Sequence, residues 1–264
     1  MKKIAFFDLD GTLTSEIDGS IPQSTIDSIR KARANGNLMF INTGRCFENV
    51  EQRFRDIGWD GYVCGCGTHV ICEEKDLFYS TLSRQVINEI AEASKECHLD
   101  LLFESKDCMC FVSPKTLSHP NAVRHYNTLL KDNCSNPKDI YASEFTADKF
   151  VVWITDNSDL EQFRKTSDKY FECIDRYPTF KEFVPHGFSK ATGIQAVLEH
   201  YGIPLQNAYA FGDSNNDLPM LTFVPNSIAM GNSYPQTLFE KVTYRTGNSS
   251  STGIQQALEH FGFI

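Results

Sequence analysis

With 264 residues, 41% hydrophobic and 12% aromatic, the chain has enough apolar side chain for one large domain, or for a core plus a smaller second one. Lys and Arg number 25 against 34 Asp and Glu, a net charge of -9, which argues against a phosphate-backbone partner. It leaves room for a small phosphorylated ligand, because a bound cation reverses the local field. No apolar run is long enough to span a bilayer, and Asp8 cuts Ile4-Ala5-Phe6-Phe7 too short for a secretion signal. Nine cysteines, an odd number, fit a reducing compartment. A cytoplasmic protein with neither membrane nor nucleic-acid partners is expected, and Asn133-Cys134-Ser135 and Asn248-Ser249-Ser250 are expected to stay unglycosylated.

In chain order, the apolar segment from Lys3 to Leu9 reads as a strand buried on both faces. A helix is predicted from Ser24 to Asn35, ended by Gly36, and a short strand from Leu38 to Asn42. A helix through Val50, Phe54 and Ile57 and a strand at Tyr62 and Val63 follow. This alternation predicts βαβ units in a mostly parallel sheet. From about Ser80 to Pro185 the predicted strands come instead in adjacent pairs, Leu101–Glu104 with Met109–Val112 and Phe171–Asp175 with Phe180–Val184. Helices are predicted at Ile87–Ala93 and Leu160–Tyr170. That is the pattern of an α+β insert with an antiparallel sheet. The βα alternation then resumes with a helix at Thr192–Tyr201, a strand at Ala208–Phe211, a helix at Pro219–Phe223 and a strand at Ser227–Met230. The expected division is a core of residues 1–80 and 186–264 interrupted by an insert of residues 81–185.

Four short segments fall at the ends of predicted core strands or the starts of the following helices, where open α/β sheets bind ligands. Asp8-Leu9-Asp10-Gly11-Thr12 ends the first strand, and its two carboxylates can converge on one cation where glycine lets the backbone turn away. Asn42-Thr43-Gly44-Arg45 offers a hydroxyl and free N–H groups to an anion. Ser189-Lys190 opens a helix, and Gly212-Asp213-Ser214-Asn215-Asn216-Asp217 is again strand, turn, helix.

These four segments, in this order, resemble the motifs of the haloacid dehalogenase-like hydrolases, and the insert resembles the type-two cap by position and length. Ala229-Met230-Gly231-Asn232 and Ser251-Thr252-Gly253-Ile254 resemble closing segments of the Cof-type (type IIB) subfamily. The resemblance implies a Rossmann-like α/β core with an inserted α+β cap. It further implies a phosphatase acting on small phosphorylated metabolites such as sugar phosphates, with the cap closing over the site. Asp8 would be the nucleophile that forms an aspartyl-phosphate, and Asp10 the acid and then the base. Asp8, the carbonyl of Asp10 and Asp213 would hold Mg2+, with Asp217 bracing the outer shell. Lys190 would offset the charge, while Gly11, Thr43, Gly44, Arg45 and Asn216 would meet the phosphate side of the substrate. Two departures bear on substrate choice. Cys66-Gly67-Thr68 stands where the family usually has Asn-Gly-Ala, and Ala191 replaces a glycine after Lys190. The alternatives are a phosphomutase, a non-catalytic binding or regulatory protein on the same core, and a dehalogenase. The intact Asp8, Lys190 and Asp213 count against the non-catalytic one.

Other features read as ordinary structure. Cys64-Gly65-Cys66 and Cys108-Met109-Cys110 are one residue too tight for a zinc knuckle and are expected to be small buried hydrophobes. His186 is either a substrate contact or a solvated loop residue, and Phe180 and Phe183 are expected in a core. Arg45 could alternatively cap a helix. Nothing in the sequence sets the oligomeric state.

Overall fold

A computed structural model describes residues 2–131 and 139–264, so the Asn133-Cys134-Ser135 sequon lies outside the described residues. The chain divides into two compact units, one of Met1–Arg45, Val50–Tyr79 and Phe188–Ile264, the other of Cys46–Asn49 and Ser80–Gly187.

The first unit opens with β1 (Ile4–Phe7), α1 (Gln23–Ala34), β2 (Leu38–Asn42), the single-turn α2 (Gln52–Arg55), β3 (Gly61–Cys64), β4 (His69–Cys72) and β5 (Lys75–Tyr79). The helix expected through Val50, Phe54 and Ile57 is reduced to a 3-10 turn at Phe47–Asn49 and the four residues of α2. Strands β4 and β5, which the alternation rule does not anticipate, form an antiparallel hairpin beyond β3.

The second unit contains α3 (Arg84–Glu96), β6 (Asp100–Glu104), β7 (Met109–Phe111), α4 (Pro120–Lys131), β8 (Lys149–Trp153), α5 (Leu160–Ser167), β9 (Phe171–Tyr177) and β10 (Phe180–Pro185). Its five strands run in the order β7-β6-β8-β10-β9, antiparallel throughout. Alternation places Phe103, Phe150 and Phe183 in one apolar cluster with α3 and α5, while Leu102, Val151 and Trp153 fall in another with Ala122 and Leu129 of α4. Phe183 is buried and stacks on Phe150 at 4.8 Å, and the partly buried Phe180 packs against Trp153, as the core reading requires. His186 is half exposed and held by Glu172 and the Asp168 carbonyl, which makes it a loop residue of this unit.

The first unit resumes with α6 (Lys190–Tyr201), β11 (Ala208–Ser214), α7 (Leu218–Phe223), β12 (Asn226–Tyr234), β13 (Tyr244–Arg245) and α8 (Gly253–His260). Its eight strands lie in the order β13-β12-β11-β1-β2-β3-β4-β5, parallel from β13 to β3. Ile4 and Phe6 of β1 pack in the cluster that includes Ile194, Val197 and Leu198 of α6. The described cysteines form no disulfide with one another, and Cys64, Cys66, Cys108 and Cys110 are buried, in keeping with small apolar side chains. No helix among the described residues is long and apolar enough to cross a membrane.

Candidate active site

From β1 the chain progresses outward to β2 and β3 on one side; from β11 it progresses to β12 and β13 on the other. The loops leaving β1 and β11 therefore part at their C-terminal ends, the position where open parallel sheets hold ligands. The register sets Phe7 beside Phe211, and the Asp8 N–H continues the ladder by donating to the Phe211 carbonyl at 3.0 Å. Asp8 and Asp213 are thereby brought together although 205 positions separate them (213 − 8). Gly11 sits at φ +77, and a Cβ there would come within 2.4 Å of an Asp213 carboxylate oxygen, so both the turn and the close approach require glycine. The Thr12 hydroxyl donates to Asp213 Oδ1 at 3.2 Å.

Lys190 is the first residue of α6, whose N-terminus is fixed by a capping box between Ser189 and Thr192. Its side chain is only 1% exposed, and Nζ donates to Asp8 Oδ1 and Asp217 Oδ1, each at 2.5 Å. Burial works against the ammonium, but Asp217 and Asp8 outweigh it and raise its pKa above the ordinary value. Asp217 is fully buried, and its Oδ2 accepts the Asp213 and Ser214 N–H groups at 2.9 and 3.2 Å. One carboxylate thus fixes both the lysine and the backbone that carries Asp213.

Asp8, Asp213 and Asp217 each bring a carboxylate oxygen within 4.8 Å of the others. Burial pushes the Asp8 carboxyl up to about 6 despite the pull of Lys190, with the charges of Asp217 and Asp10 adding to the rise. Asp213 is pushed up to about 8 by burial and by the charges of Asp217 and Asp8. Three carboxyls, Asp8 and Asp217 buried and Asp213 partly so, outnumber the one lysine beside them and form the all-oxygen donor set that suits a hard divalent cation such as Mg2+.

Asp10 does not join them. Arg45 grips its carboxylate in a fork, Nη2 to Oδ1 at 2.6 Å and Nε to Oδ2 at 3.1 Å, and also reaches Glu51 at 3.2 Å. The expectation that the two carboxylates of the first motif converge is therefore corrected for their side chains. Thr43 is buried, its N–H bonded to Val63 and its hydroxyl accepting the Arg45 N–H at 3.1 Å; Gly44 is buried beside it. Asn216 takes Ser214 Oγ as its partner, while Lys190 takes the two aspartates.

Two asparagines quoted for their motifs carry contacts that sequence reasoning missed. Buried Asn42 donates its amide to the Lys190 main-chain carbonyl at 3.0 Å, and Asn232 donates to the Gly11 carbonyl at 2.8 Å. An amide ending the apolar run Leu38–Asn42 is the signal that could have disclosed the first. Glu16 accepts from Asn248, Ser249 and Ser250, which binds the loop after the first motif to the chain's closing segment.

The profile of a family described as haloacid dehalogenase-like hydrolase matches residues 5–258. YkrA of Bacillus subtilis is 26% identical over 262 residues, covering 99% of this chain and 98% of that protein. The HMP-PP phosphatase of Klebsiella pneumoniae is 25% identical over 244 residues, covering 89% and 86%. Among solved structures, the HAD subclass IIB sugar phosphatase BT4131 superposes with a TM-score of 0.79 at 25% identity, each chain fully covered.

Proposed function

The chain belongs to the haloacid dehalogenase-like hydrolase family and is a phosphatase, and from that premise we propose that it hydrolyses small phosphomonoesters with Mg2+ through an aspartyl-phosphate on Asp8. The observation that carries this reading is the buried contact of Lys190 with Asp8 and Asp217, beside Asp213, at the parting of the loops after β1 and β11. An Asp8 carboxylate oxygen attacks phosphorus; the bond from phosphorus to the leaving oxygen breaks as Asp10 delivers a proton to that oxygen. Asp10, now ionised, takes a proton from the water that attacks the phosphorus of the acyl phosphate, and Asp8 is released with inorganic phosphate. Lys190 holds the Asp8 oxygen in place and offsets the charge gathering on the phosphoryl oxygens, which Thr43 and the Gly44 N–H orient. Asp8, Asp213 and the Asp10 carbonyl would hold Mg2+, which, when bound, neutralises phosphate charge and aligns the ester.

The fork from Arg45 to Asp10 bears on the first step: Asp10 can protonate the leaving group only once that grip is broken. An anionic or hydroxyl-rich substrate offers Arg45 the competing partner. We assign choice of the leaving group to the inserted unit, and the substrates to metabolites such as sugar phosphates. The activities named for the HMP-PP phosphatase and the sugar phosphatase support this class. A cytoplasmic location accords with the odd count of nine cysteines.

The test is phosphate release from a panel of sugar phosphates, nucleotides and pyridoxal phosphate, with Mg2+ or EDTA. Wild type is expected to turn over only with Mg2+, and Asp8→Asn and Lys190→Ala to lose roughly 10³-fold or more in kcat. Turnover that survives in Asp8→Asn removes Asp8 as nucleophile, and turnover indifferent to EDTA removes the cation.

A further inference from the structure

Between β3 and β4 three successive residues have left-handed backbone: Gly65 at φ 57, Cys66 at φ 55 and Gly67 at φ 94. Glycines take this conformation at no steric cost, but Cys66, at φ 55 and ψ 37, does so against the preference of an L side chain. Backbone held in such a region persists only where its surroundings over-determine it, and three contacts do so here. The Gly65 N–H donates to the Arg45 carbonyl at 2.9 Å and the Cys66 N–H to the Thr43 carbonyl at 3.1 Å. On its other side the turn lies so close to Ser189 that a Cβ on Gly67 would come within 2.3 Å of the Ser189 carbonyl oxygen. A right-handed turn would aim both N–H groups elsewhere and carry Gly67 away from Ser189.

We propose that the left-handed turn Gly65–Gly67 is a positioning element of the active site, wedged between the loop that carries Thr43 and Arg45 and the corner that carries Lys190. It sets the separation between the Thr43 hydroxyl and the Lys190 ammonium. Asn42 ties the same two segments from the strand side, through its amide to the Lys190 carbonyl. The inference rests on the phosphatase reading above, because the spacing matters only if Thr43 and Lys190 act on one phosphoryl group. A displacement of about 1 Å in such a pair costs on the order of 100-fold in rate.

The experiment compares Cys66→Asn, Cys66→Gly and Cys66→Val in the full chain. All three remove the thiol, but asparagine and glycine favour left-handed backbone and the β-branched valine resists it. Hydrolysis of p-nitrophenyl phosphate and Mg2+-dependent binding of orthovanadate are measured well below each variant's unfolding midpoint. Cys66→Val is expected to lose about 10- to 100-fold in kcat with a smaller change in KM, and to bind vanadate more weakly. Cys66→Asn and Cys66→Gly are expected to stay within about twofold of wild type, since positioning depends on backbone conformation. If Cys66→Val keeps wild-type kcat and vanadate affinity and loses only thermal stability, the turn is structural and the proposal falls while the phosphatase reading stands. Equal losses in all three assign the effect to the thiol and also overturn it. A wild type that neither hydrolyses nor binds vanadate overturns both readings.

Discussion

Asp8 and Asp10 stand two apart in the chain and answer to different neighbours, one to a buried lysine and the other to an exposed arginine fork. The difference bears on their proposed tasks: the lysine fixes the oxygen that attacks, while the Arg45 fork must open before Asp10 can deliver a proton. The carboxyls of Asp8 and Asp213, raised to about 6 and about 8, have a consequence for stability. Between the ordinary value of 3.8 and those raised values the folded chain holds protons that the unfolded chain has released, so stability without metal falls as pH rises through that window. Mg2+ replaces those protons, so the rise in Tm on adding it is expected to be larger at pH 8 than at pH 5.5. At a hundred times the dissociation constant the stabilisation is about 2.7 kcal/mol. Asp213→Asn is expected to raise the Tm in EDTA at pH 8 and to abolish the Mg2+ effect. Scanning calorimetry at the two pH values decides it; a Mg2+ shift independent of pH would contradict the assignment.

At the level of elements, the antiparallel sheet of the second unit carries a buried ionic ladder across β6, β8, β10 and β9. Lys149, 1% exposed, meets Glu104 at 2.5 Å and Glu182 at 2.9 Å, and Arg176 meets Glu182 at 2.7 Å. Burial alone would raise the Glu182 carboxyl, but Lys149 and Arg176 bring it down to about 2. A lowered pKa gives stability fully present above the ordinary value of 4.5 and lost as pH falls through about 2. Lys149→Met strands Glu104 as a buried carboxylate without its lysine and is expected to destabilise the protein by about 3–5 kcal/mol at pH 7. Adding Glu104→Gln should recover part of that loss. Urea unfolding of the single and double variants checks this, and a single variant as stable as wild type would show the ladder to be solvated.

Across the whole molecule, the first unit is assembled from segments far apart in the chain. β1 pairs with β11, α1 packs on α8, and Lys3 Nζ donates to the Phe261 carbonyl at 2.5 Å. The closing segment contributes Ile254, Ala257, Leu258 and Phe263 to the buried core. At about 1.5–3 kcal/mol for each fully buried large side chain, deleting residues 253–264, with Ile254, Leu258 and Phe263, removes about 5–9 kcal/mol, a large share of a domain's usual stability. The truncated chain is expected to be insoluble or to unfold well below the Tm of the full chain. Expression with thermal melting measures this, and a truncated chain with an unchanged Tm would deny α8 that role.

The sequence by itself determined the α/β class, the antiparallel character of the insert and the four motif segments, because each is local. Alternating apolar runs, adjacent strand pairs and polar turns at strand ends are all written within a few residues of one another. It did not disclose β8, the central strand of the insert, whose partners β6 and β10 are remote in the chain and whose first residue is a lysine. It did not disclose α4 or the β4–β5 hairpin, whose second strand is mostly exposed. Only the tertiary structure decided that Asp10 turns to Arg45 while Asp217 joins Asp8 at Lys190, and that Gly65–Gly67 is left-handed. Those outcomes depend on which groups long-range strand pairing brings within hydrogen-bond reach, and charge and backbone conformation then settle between partners that the order of residues leaves equal.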